Sequence, residues 1–372
     1  MNRFFSLFCL LSGLFSVAFQ PANALDLIDK KLQLNAMISL SYDYMDSDVG
    51  QAAADEFSDD NLVDDEIDYG GNPTRLNAEG IISVNEGLDF FYGVSKVVAW
   101  DGSRDKLLGT RSYEAGVRGS FGSLSIGKQD TPFRTVGAQF AILRSTVAHR
   151  NALIGATTDE GNRLNRRAEK SILWVQDKDF AGGNLEWKLI YSADSLRTRG
   201  NTDNDKRAVW GFGIKHNSDL YTLDLAYEQW EKIYESKINA TRAAIKRRIN
   251  ALEIGLLYEI INQDMVPGAI SPPTLDRNAF GVNAAYEIGN ITYGIQILSA
   301  ESYANSNDTG ATMYSIGAEK VFNSSLSGSI GYTQTKNEAN GAFQGIDGIR
   351  GDLGTLNGGA PKAFGVGLRY RF

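Results

Sequence analysis

Apolar and polar residues alternate one by one along most of this chain. Leu32, Leu34, Ala36, Ile38, Leu40, Tyr42 and Tyr44 share one face of an extended segment, with Gln33, Asn35, Ser39, Ser41 and Asp43 on the other. A period of two marks a strand with two different faces, and the run spans the roughly 9 to 11 residues a tilted strand needs to cross a bilayer. The pattern returns in Leu76–Val84, Leu88–Trp100, Tyr113–Phe121, Leu185–Ala193, Tyr221–Gln229 and Leu252–Tyr258. Phe280–Ile288, Ile291–Ser299, Tyr314–Phe322, Leu326–Tyr332 and Phe364–Phe372 complete the clear cases.

Connections alternate in length. Asn85-Glu86-Gly87, Gly122-Ser123, Asn217-Ser218-Asp219, Gly289-Asn290 and Asn323-Ser324 read as tight turns, whereas Met45–Pro73, Asp194–Lys206 and Lys336–Lys362 are long. Short turns at one end and long loops at the other predict an all-β fold, a closed antiparallel transmembrane barrel of the bacterial outer membrane. Closure also leaves no unpaired strand edge in lipid. With less regular segments included, the strands come to about fifteen, but both chain ends should lie on the periplasmic side, which requires an even number. The apolar phase slips between Ile249, Ala251 and Leu252, Ile254, so a short strand is expected near Thr241–Arg248 with a turn after it. Ile261–Ser271 is the other candidate, weakened by Pro267, Pro272 and Pro273. The expected total is about 16 strands.

A soluble β-sandwich would alternate as well. Two features speak against it. Tyr42, Tyr44, Trp100, Phe121, Trp174, Tyr191, Tyr286, Tyr370 and Phe372 gather at strand ends, as interfacial girdles do. The first residues also read as a secretory signal: Arg3, an apolar run from Phe4 to Phe19, then Ala22-Asn23-Ala24. Residues 1–24 are thus expected to be a signal peptide and 25–372 the barrel domain. Cys9 lies in the apolar run, so the exported chain holds no cysteine and no disulfide framework. No later stretch reaches the roughly 20 apolar residues of a membrane-spanning helix. Acidic residues number 45 against 37 basic ones, which disfavours a nucleic-acid partner.

One interruption breaks the rhythm, the roughly forty residues between Gln129 and Ser171, too long for an ordinary connection. We expect the segment of about 130–170, the third extracellular loop, to fold into the lumen. Its charges are Asp130, Asp159 and Glu160 against Arg134, Arg144, Arg150, Arg163, Arg166, Arg167 and Lys170. Alternation puts Arg75, Glu79, Glu114, Arg118, Arg167, Glu186 and Lys188 on the lumen side, because a charge on the lipid face costs about 2–4 kcal/mol at the midplane. Arg75, Arg118 and Arg167 are the candidate basic wall, with Asp159 and Glu160 as opposing acids. Each arginine could instead serve a salt bridge or touch lipopolysaccharide.

The chain closes on Val366-Gly367-Leu368-Arg369-Tyr370-Arg371-Phe372, which looks like the final strand that outer-membrane assembly machinery reads. Phe121-Gly122-Ser123-Leu124-Ser125-Ile126-Gly127-Lys128-Gln129 resembles the F-G-x-L-x-x-G-R-Q run before the constriction loop of general Gram-negative porins. Ser171-Ile172-Leu173-Trp174 is similar to the family's N-S-[IV]-x-Y run past that loop, and Phe180-Ala181-Gly182 to the turn after it. Lys128 and Trp174 replace the usual arginine and tyrosine. The resemblance implies a homotrimer of 16-stranded barrels, each a water-filled channel for small hydrophilic solutes and ions, with no cofactor.

Within that reading the third loop leans basic, and weak anion preference is expected. Met45–Pro73 carries Asp46, Asp48, Asp55, Glu56, Asp59, Asp60, Asp64, Asp65, Glu66 and Asp68, a field that draws cations and is screened beyond about 8 Å. Its spacing matches no calcium loop. Lys232, Lys237, Arg242, Lys246, Arg247 and Arg248 form a basic run, in a loop or its flanking strand, that could meet lipopolysaccharide phosphates, funnel anions, or do neither. An enzyme is disfavoured: GxSxG is absent, and His149 and His216 lack evident partners. The rival is a substrate-specific channel for anions such as phosphate or dicarboxylates. A sugar channel is disfavoured because, apart from Phe91 and Trp230, the aromatics fall on the lipid phase.

Overall fold

A computed structural model describes residues 25–26, 28–49, 62–63, 66–70, 74–99, 107–140, 147, 152–155, 163–193, 195, 208–233, 236–265, 276–346 and 353–372. In chain order the strands are β1 (Leu25–Asp26), β2 (Gln33–Asp46), β3 (Glu66–Gly70), β4 (Arg75–Asn85), β5 (Leu88–Val98), β6 (Leu108–Gly119) and β7 (Gly122–Asp130). After helix α1 (Pro132–Phe140) come β8 (Arg167–Phe180), β9 (Gly183–Ser192), β10 (Val209–Ser218), β11 (Tyr221–Ile233), β12 (Ser236–Ile249) and β13 (Leu252–Met265). The last five are β14 (Arg277–Ile288), β15 (Ile291–Ala300), β16 (Ala311–Val321), β17 (Leu326–Asn337) and β18 (Lys362–Arg371).

Each strand is antiparallel to its neighbour, and β18 closes the ring on β2, from Arg371↔Met37 to Lys362↔Asp46. Two of the eighteen pieces are short and fill gaps rather than adding width. β3 pairs with Ser41–Met45 of β2 where β4, which pairs with Gln33–Met37, leaves off, and β1 pairs with Gln33 and Leu34. The barrel therefore has sixteen full strands. The hidden one is β12, fourteen residues long rather than short, with its turn at Asn250–Ala251 as expected. Ile261 belongs to β13, which runs on to Met265 and makes no separate strand.

The outward faces show why this sequence closes in lipid. Leu256, Val282, Ile295, Ile297 and Ile316 are exposed on successive strands, the reverse of a soluble protein. Two aromatic rows bracket them: Tyr258 pairs with Phe280 in one, Tyr286 with Tyr293 in the other. Phe280 and Tyr286 are six residues apart on β14, about 20 Å of strand at about 3.4 Å per residue. That length of strand, tilted by about 35–45°, falls within the apolar band about 25 Å tall of such barrels. Of the expected girdle, Phe121, Tyr191, Tyr286 and Phe372 are exposed, and Trp100 lies outside the described residues.

Three details of the sequence reading change. The turn placed at Gly122-Ser123 sits at Ser120–Phe121, because Gly119↔Gly122 already pair. The long segment ends earlier than Lys170, since β8 begins at Arg167 and pairs it with Asp130. His216, near one of the tight turns, does have partners: its Nε2 lies 3.0 Å from the Phe180 carbonyl oxygen, and its ring meets Phe180 edge-on.

At the long-loop end, Glu338 links two connections. Its carboxylate accepts from Ser302 Oγ at 2.6 Å and from the Gly310 amide at 2.7 Å. Those bonds hold its pKa below the usual glutamate value. A depressed carboxylate stabilises the fold above the ordinary glutamate range and loses that contribution as pH falls through its folded pKa. Amide exchange at Gly310 is expected to accelerate on acidification in the wild type and to be fast and pH-insensitive beyond intrinsic exchange in Glu338→Gln. Equal protection in both proteins would refute the role.

Candidate functional site

The segment between β7 and β8 has its own apolar core. Phe133, Val136 and Phe140 of α1, with Leu153, Ile154 and Leu164 beyond it, are almost fully buried against Ala226, Trp230, Ile238, Leu257, Ile261 and Leu298. These strand residues sit on the faces opposite the exposed apolar band. Trp230, an aromatic out of lipid phase, is thus a packing partner for this segment. At roughly 1.5–3 kcal/mol for each fully buried large side chain, the contact fixes where α1 lies.

Polar groups fix its register. Arg242 of β12 and Glu259 of β13 are fully buried and joined at 2.8 Å between Nε and Oε2. Arg242 Nη1 also donates to the Phe133 carbonyl at 3.0 Å and to Asn165 Oδ1 at 2.9 Å, while its guanidinium stacks 3.8 Å over the Phe133 ring. Glu259 Oε1 accepts the Gly155 amide at 2.9 Å and lies 3.6 Å from Arg277 Nη2, which donates to the Leu153 carbonyl at 3.1 Å. Asn283 Nδ2 donates to the Phe140 carbonyl at 2.5 Å. Four side chains on β12, β13 and β14 therefore hold the loop by its backbone. Val147 reaches another cluster, with Met45, Ile346, Leu353 and Ala363.

The basic run follows the flanking-strand alternative: Lys232 lies in β11, and Lys237, Arg242, Lys246, Arg247 and Arg248 lie in β12, where alternation splits them. Arg242 anchors the segment, Lys246 pairs with Glu253 at 2.6 Å, and Arg248 pairs with Glu287. The lumen-side reading missed Arg242 because the sequence left the run open between loop and strand, so no face was assigned to it.

Four arginines gather where β7 runs into α1. Asp130, at the end of β7, is ion-paired with Arg134 Nε at 2.6 Å and Arg167 Nε at 2.8 Å. Arg111 is close enough to interact electrostatically with Asp130, Arg134 and Arg75, and Arg75 also feels Arg369 and Arg371. Of the residues singled out from sequence, Arg75, Asp130, Arg134 and Arg167 come together. Arg118 does not: it pairs with Asp89 at 3.0 Å near the tight turns, lining a cleft of about 720 Å³ with Asp177. Arg144, Asp159, Glu160, Arg150 and His149 lie outside the described residues. Among the described residues, the acid ion-paired within this cluster is Asp130.

Arg111 escaped the sequence reading for a geometric reason. Strict alternation from Tyr113 sends it outward. The β5–β6 ladder, however, passes from Ser95↔Ser112 to Lys96↔Thr110, so Arg111 is the extra residue of a β-bulge and turns to the polar side. A charged residue in lipid phase was the available signal.

The Gram-negative porin family model matches residues 14–340. The chain belongs to the Gram-negative porin family. Among solved structures, this porin is similar to the anion-selective porin of Comamonas acidovorans, at 14% identity over 92% of this chain and 99% of that one, with a TM-score of 0.73. The trimer form of Vibrio cholerae OmpT matches at 16% identity over 92% and 99% of the two chains, TM-score 0.65. OmpF of Salmonella typhi, in complex with daunomycin, matches at 13% over 94% and 100%, TM-score 0.64. At such identities the likeness carries the fold. No curated protein matches the sequence. Family and barrel together make this porin an outer-membrane channel protein.

Proposed function

We propose that this porin passes small hydrophilic solutes and ions by diffusion through a water-filled lumen, with a preference for anions. The observation that carries the reading is the gathering of Arg75, Arg111, Arg134 and Arg167 around one carboxylate, Asp130. In this reading the segment from Asp130 to β8 is the constriction loop, and its arginine-lined edge is the narrow point. A sixteen-stranded barrel is wide enough to hold water. A net positive ring in that water raises the local anion concentration and repels cations, without a binding step.

The similar porin of Comamonas acidovorans is anion-selective, which supports the same direction. The trimer form of OmpT supports a homotrimer. A channel specific for phosphate or a dicarboxylate is the second reading, favoured by the density of guanidinium groups, which bind such anions bidentately.

Refolded mature protein in a planar bilayer under a potassium chloride gradient tests both. An anion-leaning reversal potential with conductance linear in salt is expected. A cation-leaning potential refutes the proposal. Conductance that saturates, and is blocked by phosphate or a dicarboxylate, replaces it with the specific channel.

A further inference from the structure

The cleft of about 720 Å³ at the tight-turn end holds charges that stand apart from the arginine cluster. Phe90 and Leu124 are exposed on the apolar face and Val117 pairs with both, so Asp89, Arg118 and Ser123, each one residue along its strand, share the opposite, polar face. Ser123 pairs with Val175, which puts Asp177 on that face as well. Arg118 and Asp177 line the cleft from β6 and β8, with the small side chain of Ser123 on the strand between them.

Both charged groups keep hydrogen-bonding capacity to spare. Arg118 directs Nε and Nη2 to the same Asp89 oxygen, at 3.1 and 3.0 Å, which leaves Nη1 open among the described residues, and its side chain is 47% exposed. Asp89 is itself held by the Ser83 hydroxyl, which donates to Oδ1 at 2.7 Å, so the guanidinium has a fixed seat. Asp177 accepts from Asn184 Nδ2 at 3.3 Å and, among the described residues, pairs with no cation. Its neighbour across the β8–β9 rung, Glu186, does have one, Lys188 at 2.9 Å. The two sides of the cleft therefore differ in sign, a guanidinium edge on β6 and a carboxylate on β8.

Arg118 and Asp177 stand two strands and two residues apart, about 12 Å between Cα atoms at roughly 4.8 Å per strand and 3.4 Å per residue. The guanidinium leans towards Asp89 on β5, away from Asp177, so one amino acid is too short to join the two charges. An extended chain spans about 3.5 Å per residue, which sets the ammonium and carboxylate of a dipeptide about 7 Å apart. We propose that this cleft is a binding site for a zwitterion of dipeptide length, its carboxylate on Arg118 Nη1 and its α-ammonium on Asp177. Such a solute carries no net charge, so a positive ring neither gathers nor repels it. The cleft would hold what the arginine cluster ignores.

The test titrates detergent-refolded mature protein with glycylglycine and with glycylglycinamide, which has the same length and ammonium but no carboxylate, reading dissociation constants by saturation-transfer NMR. Arg118→Ser and Asp177→Asn accompany the wild type, and unchanged single-channel conductance shows that each is folded. Wild type is expected to bind glycylglycine at least about threefold more tightly than glycylglycinamide, the scale of an exposed ion pair. Arg118→Ser is expected to weaken glycylglycine to the level of the amide and to leave the amide unchanged, whereas Asp177→Asn weakens both. Equal constants for both probes in all three proteins overturn the proposal. So does glycylglycine binding that survives Arg118→Ser and is lost when Arg75, Arg111 and Arg167 together become serine, which would place the zwitterion in the arginine cluster. The anion preference stands or falls separately: a cation-leaning reversal potential refutes that reading and leaves these constants as they are.

Discussion

Glu259→Gln is expected to release the segment between β7 and β8 while leaving the barrel closed. The Glu259 carboxylate faces Arg242 and Arg277 and receives the Gly155 amide, all without solvent. Removing one partner of a buried ion pair costs about 3–5 kcal/mol, because the remaining charge stays buried and uncompensated. Here two guanidinium groups are left facing a neutral amide. The sixteen strands do not depend on that carboxylate, since their ladders run from strand to strand. The loss should fall on α1 and on residues 152–155: faster protease cleavage between Asp130 and Arg167, and a noisier channel. Thermal unfolding of the barrel should move far less. Cleavage at the wild-type rate, with quiet wild-type conductance, would show that the apolar contacts of Phe133, Phe140 and Leu153 hold the segment unaided.

The second large effect concerns selectivity. Replacing Arg75, Arg111 and Arg167 together by serine removes three positive charges around Asp130 and leaves Arg134 as its ion-pair partner. The anion-to-cation permeability ratio is expected to fall about tenfold, equivalent to about 1.4 kcal/mol, and the reversal potential to move towards the cation side. Arg118→Ser is the matched control. That side chain is half-exposed and engaged by Asp89 at the tight-turn end, where salt screens its field, so its loss should leave the ratio within about twofold. A large shift from Arg118→Ser, with none from the triple change, would move the narrow point to the turn end.

Much of the barrel was legible because alternation, turn residues and connection lengths are local properties that lipid enforces residue by residue. The phase slip at Ile249 to Leu252 revealed β12 for that reason. What alternation could not show is what leans on the polar face of a strand. Leu257 and Ile261 face the polar side of β13 with Glu259 between them, a pattern that makes sense only with another apolar surface against it. Those residues carried the signal for the α1 contact, and Arg242, taken as one charge in a basic run, was its polar counterpart. Arg75, Asp130, Arg134 and Arg167 were recognised as candidates from their place beside the long segment. Arg118 shares their parity but lies at the wrong height, and parity says nothing of height.

The bulge on β6 has a consequence for how such a pore can diversify. Arg111 owes its direction to one surplus residue in the β5–β6 ladder. Loss of Thr110 alone would let Arg111 take the place opposite Lys96, whose other partner is the exposed Leu76, and the rest of the ladder would stay in register. Charge on the polar side of the barrel can therefore drift through length changes of one residue, and two descendants differing this way would look nearly identical in composition while presenting different charges to water.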